Sequence, residues 1–291
     1  MKRIGIWIRI GLLLVCAAVC VISTVMLIRI LIGYGHAGDV YESINEGFVE
    51  IPLVDTETKE DAASESESTE ESETEIGDAV DALPVEVIFY EESSMEMLQQ
   101  YQYVMGLMAQ YPDVVGYISI PSLSINYPVV QADDNDYYLN HLITGEQSSS
   151  GAIFLDSRCN KNVISAKNTV IYGHNMNDGS MFHNLEKLFE KDTFLNAKVE
   201  YITKEGIFIF KPLSVYRADA TYPFARFSFA DRADYLSFCR AAVEKSRFTE
   251  SEAVQYGWDS CLITLVTCTN AISSHTGRYV FQGVLEAVYP G

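Results

Sequence analysis

The sequence predicts a mainly β protein: a closed or nearly closed eight-stranded β-barrel with an N-terminal helix and one inserted helix, preceded by a transmembrane helix. Three observations point there. Eight short runs favour β-structure and are parted by Pro, Gly, Asn or Asp. Two stretches break that texture with apolar residues at helical spacing. No G-x-G-x-x-G or G-K-[ST] signature follows any strand, which argues against a nucleotide-binding α/β fold.

The chain opens on a basic flank, 1–9, with Lys2, Arg3 and Arg9. From Ile10 to Ile28 there is no charged residue, and the apolar run resumes after Arg29 with Ile30, Leu31 and Ile32. About 20 apolar residues cross a bilayer as a helix, so 10–33 is the expected anchor. The basic flank predicts a cytoplasmic N-terminus, a single pass, and everything after the anchor outside the cell membrane. A cleavable signal peptide has an apolar region of only about 7–15 residues and ends in small residues. This run is longer and leaves through Arg29 and Gly33-Tyr34-Gly35-His36, so it is expected to stay attached, with Cys16 and Cys20 facing lipid.

Residues 34–88 are expected to be an acidic, disordered tether. Between Asp55 and Asp78, Lys59 is the only cation among dense Asp, Glu, Ser and Thr, and no aromatic residue occurs. Such a stretch buries too little apolar surface to offset chain entropy. As a flexible coil it spans roughly 40 Å. It also supplies about half of the net charge of −20, so that charge says little about the folded part, 89–291.

In that part Glu91–Tyr111 carries Met97, Tyr101, Val104, Met105 and Met108 at helical spacing, with Ser93 or Ser94 as cap and Pro112 as stop. The β-prone runs are Val114–Ile120, Ile125–Val130, Ala152–Leu155, Thr169–Tyr172, Ala197–Ile202, Ile207–Val215, Cys261–Cys268 and Tyr279–Ala287. Asp231–Lys245 is the inserted amphipathic helix. No Lys/Arg run exists beyond the membrane flank, so no nucleic-acid partner is expected. No H-E-x-x-H or C-x-x-C spacing suggests a metal.

Four cysteines lie beyond the anchor: Cys159, Cys239, Cys261 and Cys268. Their spacing makes no stapled scaffold, and a domain of this size builds its own core, so at least one is read as a working thiol. Cys268 ends the run CLITLVTC and precedes the polar turn Thr269-Asn270. His174 leaves the run NTVIYG in the same manner. Arg278 opens the last strand, ten residues after Cys268. Spacing alone leaves His141, His183 and His275 as alternatives to His174, and each residue taken singly has a bland explanation as packing or solvated surface.

Together the pieces resemble a class B sortase. The match runs through DVVGYISIPSLSINYPVVQADDNDYYLNH (Asp113–His141), GAIFLDSR (Gly151–Arg158), NTVIYGHNM (Asn168–Met176), ITLVTCT (Ile263–Thr269) and GRYVFQGVL (Gly277–Leu285). The resemblance implies a sortase-type barrel and a cysteine transpeptidase that needs no cofactor. Cys268 would be the nucleophile, His174 its proton partner and Arg278 the positive clamp. Val266, Thr267, Thr269 and Tyr172 would touch substrate, and the Asp231–Lys245 helix would wall the peptide groove. Val266 and Thr269 depart from the family's usual Ser two positions before the cysteine and acidic residue just after it. The implied partners are a surface protein's sorting-signal peptide, cleaved after Thr, and an amine of a peptidoglycan precursor or pilin, at the surface of a Gram-positive cell. Two other classes compete. A papain-like hydrolase would place Cys before His, and viral-type cysteine proteases surround the Cys with glycines, which LVTCTN lacks. An inert surface adhesin would share the anchor and barrel but would not need the three polar residues.

Overall fold

The structure, a computed structural model, describes residues 2–48, 87–248, 256–268 and 276–291, with side chains from 15 onward except 30–32 and 34. Among these residues nine strands and four helices follow in the order α1 (Lys2–Asn45), β1 (Ile88–Phe89), α2 (Met95–Gln110), β2 (Val114–Ile120), β3 (Ile125–Val130), β4 (Ile153–Leu155), β5 (Asn168–Tyr172), α3 (Lys191–Leu195), β6 (Val199–Thr203), β7 (Gly206–Asp219), α4 (Arg232–Lys245), β8 (Leu262–Cys268) and β9 (Gly277–Tyr289). The sheet order is β1-β9-β7-β6-β2-β3-β4-β5-β8, and β8 pairs back onto β9. β2–β9 therefore close an eight-stranded barrel, while β1 adds two residues in parallel along β9. The β3–β4 and β5–β8 contacts are parallel and the remaining barrel contacts antiparallel.

The expected helices form for the expected reasons. Ser94 caps α2 by accepting the Met97 N–H, Glu96 sits in the first turn, and the helix ends ahead of Pro112. Asp231 caps α4 by accepting from Asp234 N–H, and α4 buries Tyr235, Phe238, Cys239 and Ala242 at helical spacing. These pack with Leu213, Leu262 and Val284 of β7, β8 and β9 into a satellite core on the outside of the barrel. β2 is buried at every position because the barrel fills one face and helices cover the other.

The N-terminal boundary differs from expectation. α1 runs on to Asn45, well inside the stretch assigned to the tether, and Ala37, Tyr41, Ile44 and Phe48 are buried against the barrel at a helical repeat. Phe48 stacks on Tyr117 with centroids 4.2 Å apart, and the Tyr41 hydroxyl donates to the Gly151 carbonyl at 3.0 Å. Asn45 donates to Asn126 O at 2.9 Å and accepts from the Tyr117 hydroxyl at 2.7 Å. An apolar face on a helix end is buried when a surface is in reach, and that replaces the expected coil. Residues 49–86 of the expected tether lie outside the described residues. The expected membrane segment, 10–33, falls inside α1, with part of its side chains outside the described residues. Among the described residues no helix is long and apolar enough to cross a membrane.

A buried polar chain runs across β7, β9, β8 and β5 beneath the segment between β7 and α4. Gln282 accepts from the Ser214 and Tyr216 hydroxyls at 3.2 and 3.3 Å and donates to Thr264 Oγ1 at 3.1 Å. Thr264 donates to Asn168 Oδ1 at 2.6 Å, and Asn168 Nδ2 donates to the carbonyls of Phe224 and Arg226 at 3.0 and 3.2 Å. Gln282, Thr264 and Asn168 are all essentially fully buried, so each bond replaces a solvation the interior cannot supply. Gln282→Leu leaves two buried hydroxyls without their acceptor and should cost about 2 kcal/mol of stability. Chemical denaturation of the variant against the parent chain measures this.

Candidate active site

Three strands converge at one rim. β5 and β8 run parallel with Tyr172 beside Val266, and Gly173 N–H donates to Val266 O at 3.1 Å. β8 and β9 run antiparallel with Val266 opposite Val280 and Cys268 opposite Arg278. Side chains alternate along a strand and directly opposed residues share a face, so Val266, Cys268, Val280 and Arg278 all point the same way. Along that face Val266 is buried and Cys268 is exposed, so the thiol stands where the face meets solvent. A cavity of about 180 Å³ opens here, lined by His174, Cys268 and Arg278 together with Tyr172, Val266 and Thr267. The far wall comes from Asn135, Leu139 and Phe154. Every candidate site residue expected from the sequence lies on this one cavity except Thr269, which falls outside the described residues.

The competing histidines among the described residues, His141 and His183, do not line it. His141 stacks on Tyr137 with centroids 4.1 Å apart and its Nδ1 bonds Tyr137 O at 2.8 Å. His183 faces Asn175, and His275 lies outside the described residues. α4 contributes no lining residue to this cavity; its buried face packs on Leu213, Leu262 and Val284 of β7, β8 and β9.

The imidazole of His174 is held in one tautomer. Its Nε2 lies 2.8 Å from Leu139 O, a group that only accepts, so Nε2 carries the hydrogen and Nδ1 is the nitrogen left to exchange a proton. Leu139 is positioned in turn by Gly151, whose φ of 56° lies in the left-handed region. A Cβ there would press on the Tyr138 and Leu139 carbonyls, the latter at 2.8 Å, so the close approach requires glycine. Arg278 lines the same cavity, and its Nη1 donates to Gly277 O at 2.9 Å.

Tyr172 shows its ring, not its hydroxyl, to the cavity. The hydroxyl donates to Asp156 Oδ2 at 3.0 Å, and Arg158 clamps the same carboxylate with bonds of 2.9 and 2.8 Å. Burial works against the Asp156 charge, but the Arg158 and Asn135 donors outweigh it and hold the carboxyl below its ordinary range. Asn135, Leu139 and Asn175 were not found from the sequence, since a carbonyl acceptor or a bracing amide leaves no spacing to read. Among the described residues no cluster of His, Cys, Asp or Glu is placed to hold a metal ion.

Comparison with known proteins follows the same residues. Residues 118–286, more than half of the chain, match the family described as the Sortase domain. The chain is 37% identical to a sortase B of Listeria monocytogenes over 175 residues, which is 60% of this chain and 70% of that protein. Among solved structures it resembles a Staphylococcus aureus sortase B–substrate complex with a TM-score of 0.58 and 29% identity, covering 64% of this chain and 85% of the other. A sortase B complexed with triglycine is similar at a TM-score of 0.57 and 30% identity, covering 64% and 86%.

The four cysteines beyond α1 should separate chemically. Burial pushes the Cys159 and Cys239 thiols up to about 12 and also raises Cys261. A raised thiol stays protonated and unreactive at pH 8. Iodoacetamide at pH 8 should therefore modify Cys268 in the native chain and reach Cys159, Cys239 and Cys261 only after denaturation, as read by peptide mass mapping.

Proposed function

The chain belongs to the sortase family, class B, whose members are cysteine transpeptidases, and on that premise we propose that it is a membrane-anchored enzyme that cuts a surface protein's sorting signal after Thr and joins the acyl group to a cell-wall or pilin amine. The observation that carries this is the cavity shared by Cys268, His174 and Arg278.

Cys268 Sγ attacks the Thr carbonyl as thiolate. An uncoupled thiol and imidazole with ordinary pKa values are both in the charged forms in under ~1% of molecules at pH 7, a deficit of roughly 3 kcal/mol. His174 and Arg278 stand at the same rim as the sulfur, the first to exchange the proton and the second to hold the negative charge that develops. Arg278 cannot act as a base, and its fork of donors suits the oxyanion of the tetrahedral intermediate or the carbonyls flanking the Thr. As the C–N bond breaks, imidazolium Nδ1 gives its proton to the leaving amine, and a thioester remains on Cys268. The second amine attacks that thioester, passes a proton to neutral His174, and expels the thiolate.

The sortase B complexes with substrate and with triglycine support a peptide donor and a primary-amine acceptor for this chain. Anchoring is supported by the side chains of α1 between Val15 and Ile28, where Val15, Val19, Val21, Ile22, Val25, Met26, Leu27 and Ile28 are all exposed. These cover every side of the helix, an arrangement that suits lipid better than water. With Lys2, Arg3 and Arg9 ahead of it, the catalytic domain then faces outward, at the surface of a Gram-positive cell.

Arg278→Lys keeps the charge and loses the planar fork, so kcat should fall about 100-fold with an unchanged circular dichroism spectrum and melting point. Near-parental turnover would remove the assigned role. Separately, triglycine added to a reaction with a Thr-containing sorting peptide should divert product from free acid to ligated peptide, as followed by mass spectrometry. Hydrolysis unaffected by triglycine would favour a cysteine hydrolase.

A further inference from the structure

Asn175 and His183 lie beside the proposed site without lining its cavity, and they hold the strand end that carries the thiol. In the parallel β5–β8 ladder, Gly173 N–H donates to Val266 O. The next carbonyl on that edge of β8 is two residues on, at Cys268, and its partner would be the backbone N–H of residue 175 if β5 continued. β5 does not continue. The His174 carbonyl turns away to accept Phe182 N–H at 2.9 Å, and Asn175 pairs with Met181 across a hairpin. This departure brings the imidazole to the cavity, but by itself it would leave the end of β8 without its ladder partner. The Asn175 side chain supplies one: its Nδ2 donates to Cys268 O at 2.9 Å.

The amide is held from behind. Its Oδ1 lies 2.7 Å from His183 Nδ1, so that nitrogen carries a hydrogen and the orientation of the amide is set. His183 Nε2 faces Glu186 Oε1 at 3.6 Å, one helical turn on. The hairpin is fixed at other points too. Met181 adopts a φ of 59° and donates its N–H to the Tyr127 hydroxyl at 2.9 Å, while Asp178 accepts from Ser180 N–H and Oγ at 3.0 and 2.6 Å. A non-glycine residue in that conformation persists only where its surroundings over-determine it. The turn that begins at His183 ends with Phe189 against Tyr279, centroids 5.1 Å apart, next to Arg278. One short segment therefore braces the Cys268 side and the Arg278 side of the cavity together.

We infer that Asn175 is a positioning residue for the nucleophile, its side-chain amide replacing the backbone donor that β5 withdraws, and that His183 acts on the thiol only through Asn175. This rests on Cys268 being the nucleophile of the proposed reaction. The Asn175–Cys268 bond is exposed, so its loss should register in the chemistry rather than in global stability.

The test uses the full chain as Asn175→Ala, His183→Ala, the double variant, and His183→Gln, whose amide can still donate to Asn175. In Asn175→Ala, kcat for a sorting peptide should fall about tenfold with KM and melting point little changed, because small misplacement of a reacting atom is costly. Alkylation of Cys268 by iodoacetamide at pH 7, which needs no turnover, should slow by about threefold as the strand end that carries the sulfur loses its fixed place at the rim. His183→Ala should show a smaller loss in the same two quantities, His183→Gln should recover it, and the double variant should be no worse than Asn175→Ala alone. Unchanged alkylation in Asn175→Ala, a loss confined to KM, or additive losses in the double variant would overturn the inference. A parent chain that alkylates selectively at Cys268 but never ligates would instead sink the transpeptidase assignment, leaving alkylation to decide the role of Asn175.

Discussion

Closure of the barrel through the β8–β9 ladder is the constraint on which the site depends. Cys268 and Arg278 are separated by a loop in sequence, yet the register sets them directly opposite each other, so their Cα atoms sit about 5 Å apart by the geometry of any antiparallel pair. A shift of one residue would turn Cys268 to the other face and leave Arg278 opposite a different side chain. The register is held at seven paired positions, from Leu262 with Val284 to Cys268 with Arg278. β5 then adds the third residue from the other side of β8, since a strand in register through Tyr172 and Val266 delivers the next residues, Gly173 and His174, to the same rim.

Much of this was legible because strand chemistry repeats so plainly. Val114–Ile120 and Ile125–Val130 form over their expected bounds, and β5 and β8 each differ by a single residue at one end. β7 and β9 run longer than the sequence indicated, since their ends are extended by pairing with each other from Ile207 with Tyr289 to Asp219 with Gly277, which no local propensity reveals. The end of α1 departs from the sequence expectation for a related reason. Ala37, Tyr41, Ile44 and Phe48 do show a helical repeat, but they stand just ahead of a highly acidic stretch whose composition favours coil. The three central residues, His174 among them, are legible through motifs and not through spacing, and of the described histidines His174 reaches the cavity where His141 and His183 do not.

The buried polar chain links the rim to the segment beyond β7. Asn168 opens β5, six residues before His174, and its amide holds the carbonyls of Phe224 and Arg226 in the segment between β7 and α4. Through Thr264 and Gln282 the same chain touches β8, β9 and β7. β5, β7, β8 and β9 are therefore tied by bonds between fully buried groups, where a displaced donor has no water to fall back on. A site that works by aligning a sulfur, an imidazole and a guanidinium gains from that rigidity more than from any single contact.

The docking of α1 changes what the N-terminal region can do for such a site. A coil from residue 34 onward would let the barrel wander some tens of ångströms above a membrane. Instead Tyr41 and Asn45 bond the barrel from the same helix that carries the exposed apolar side chains up to Ile28. From Ile28 to Tyr41 a straight helix covers only about 20 Å. Given the proposed anchor, the barrel is seated at a nearly fixed height and orientation rather than loosely tethered. Gly151 is the acceptor for Tyr41 and, through its close approach to Leu139, also adjoins the group that orients His174. The contact that seats the barrel on its helix is thus only two residues' packing away from the contact that fixes the proton-carrying nitrogen, so the placement of the whole domain and the alignment of its reactive groups rest on the same small patch of structure.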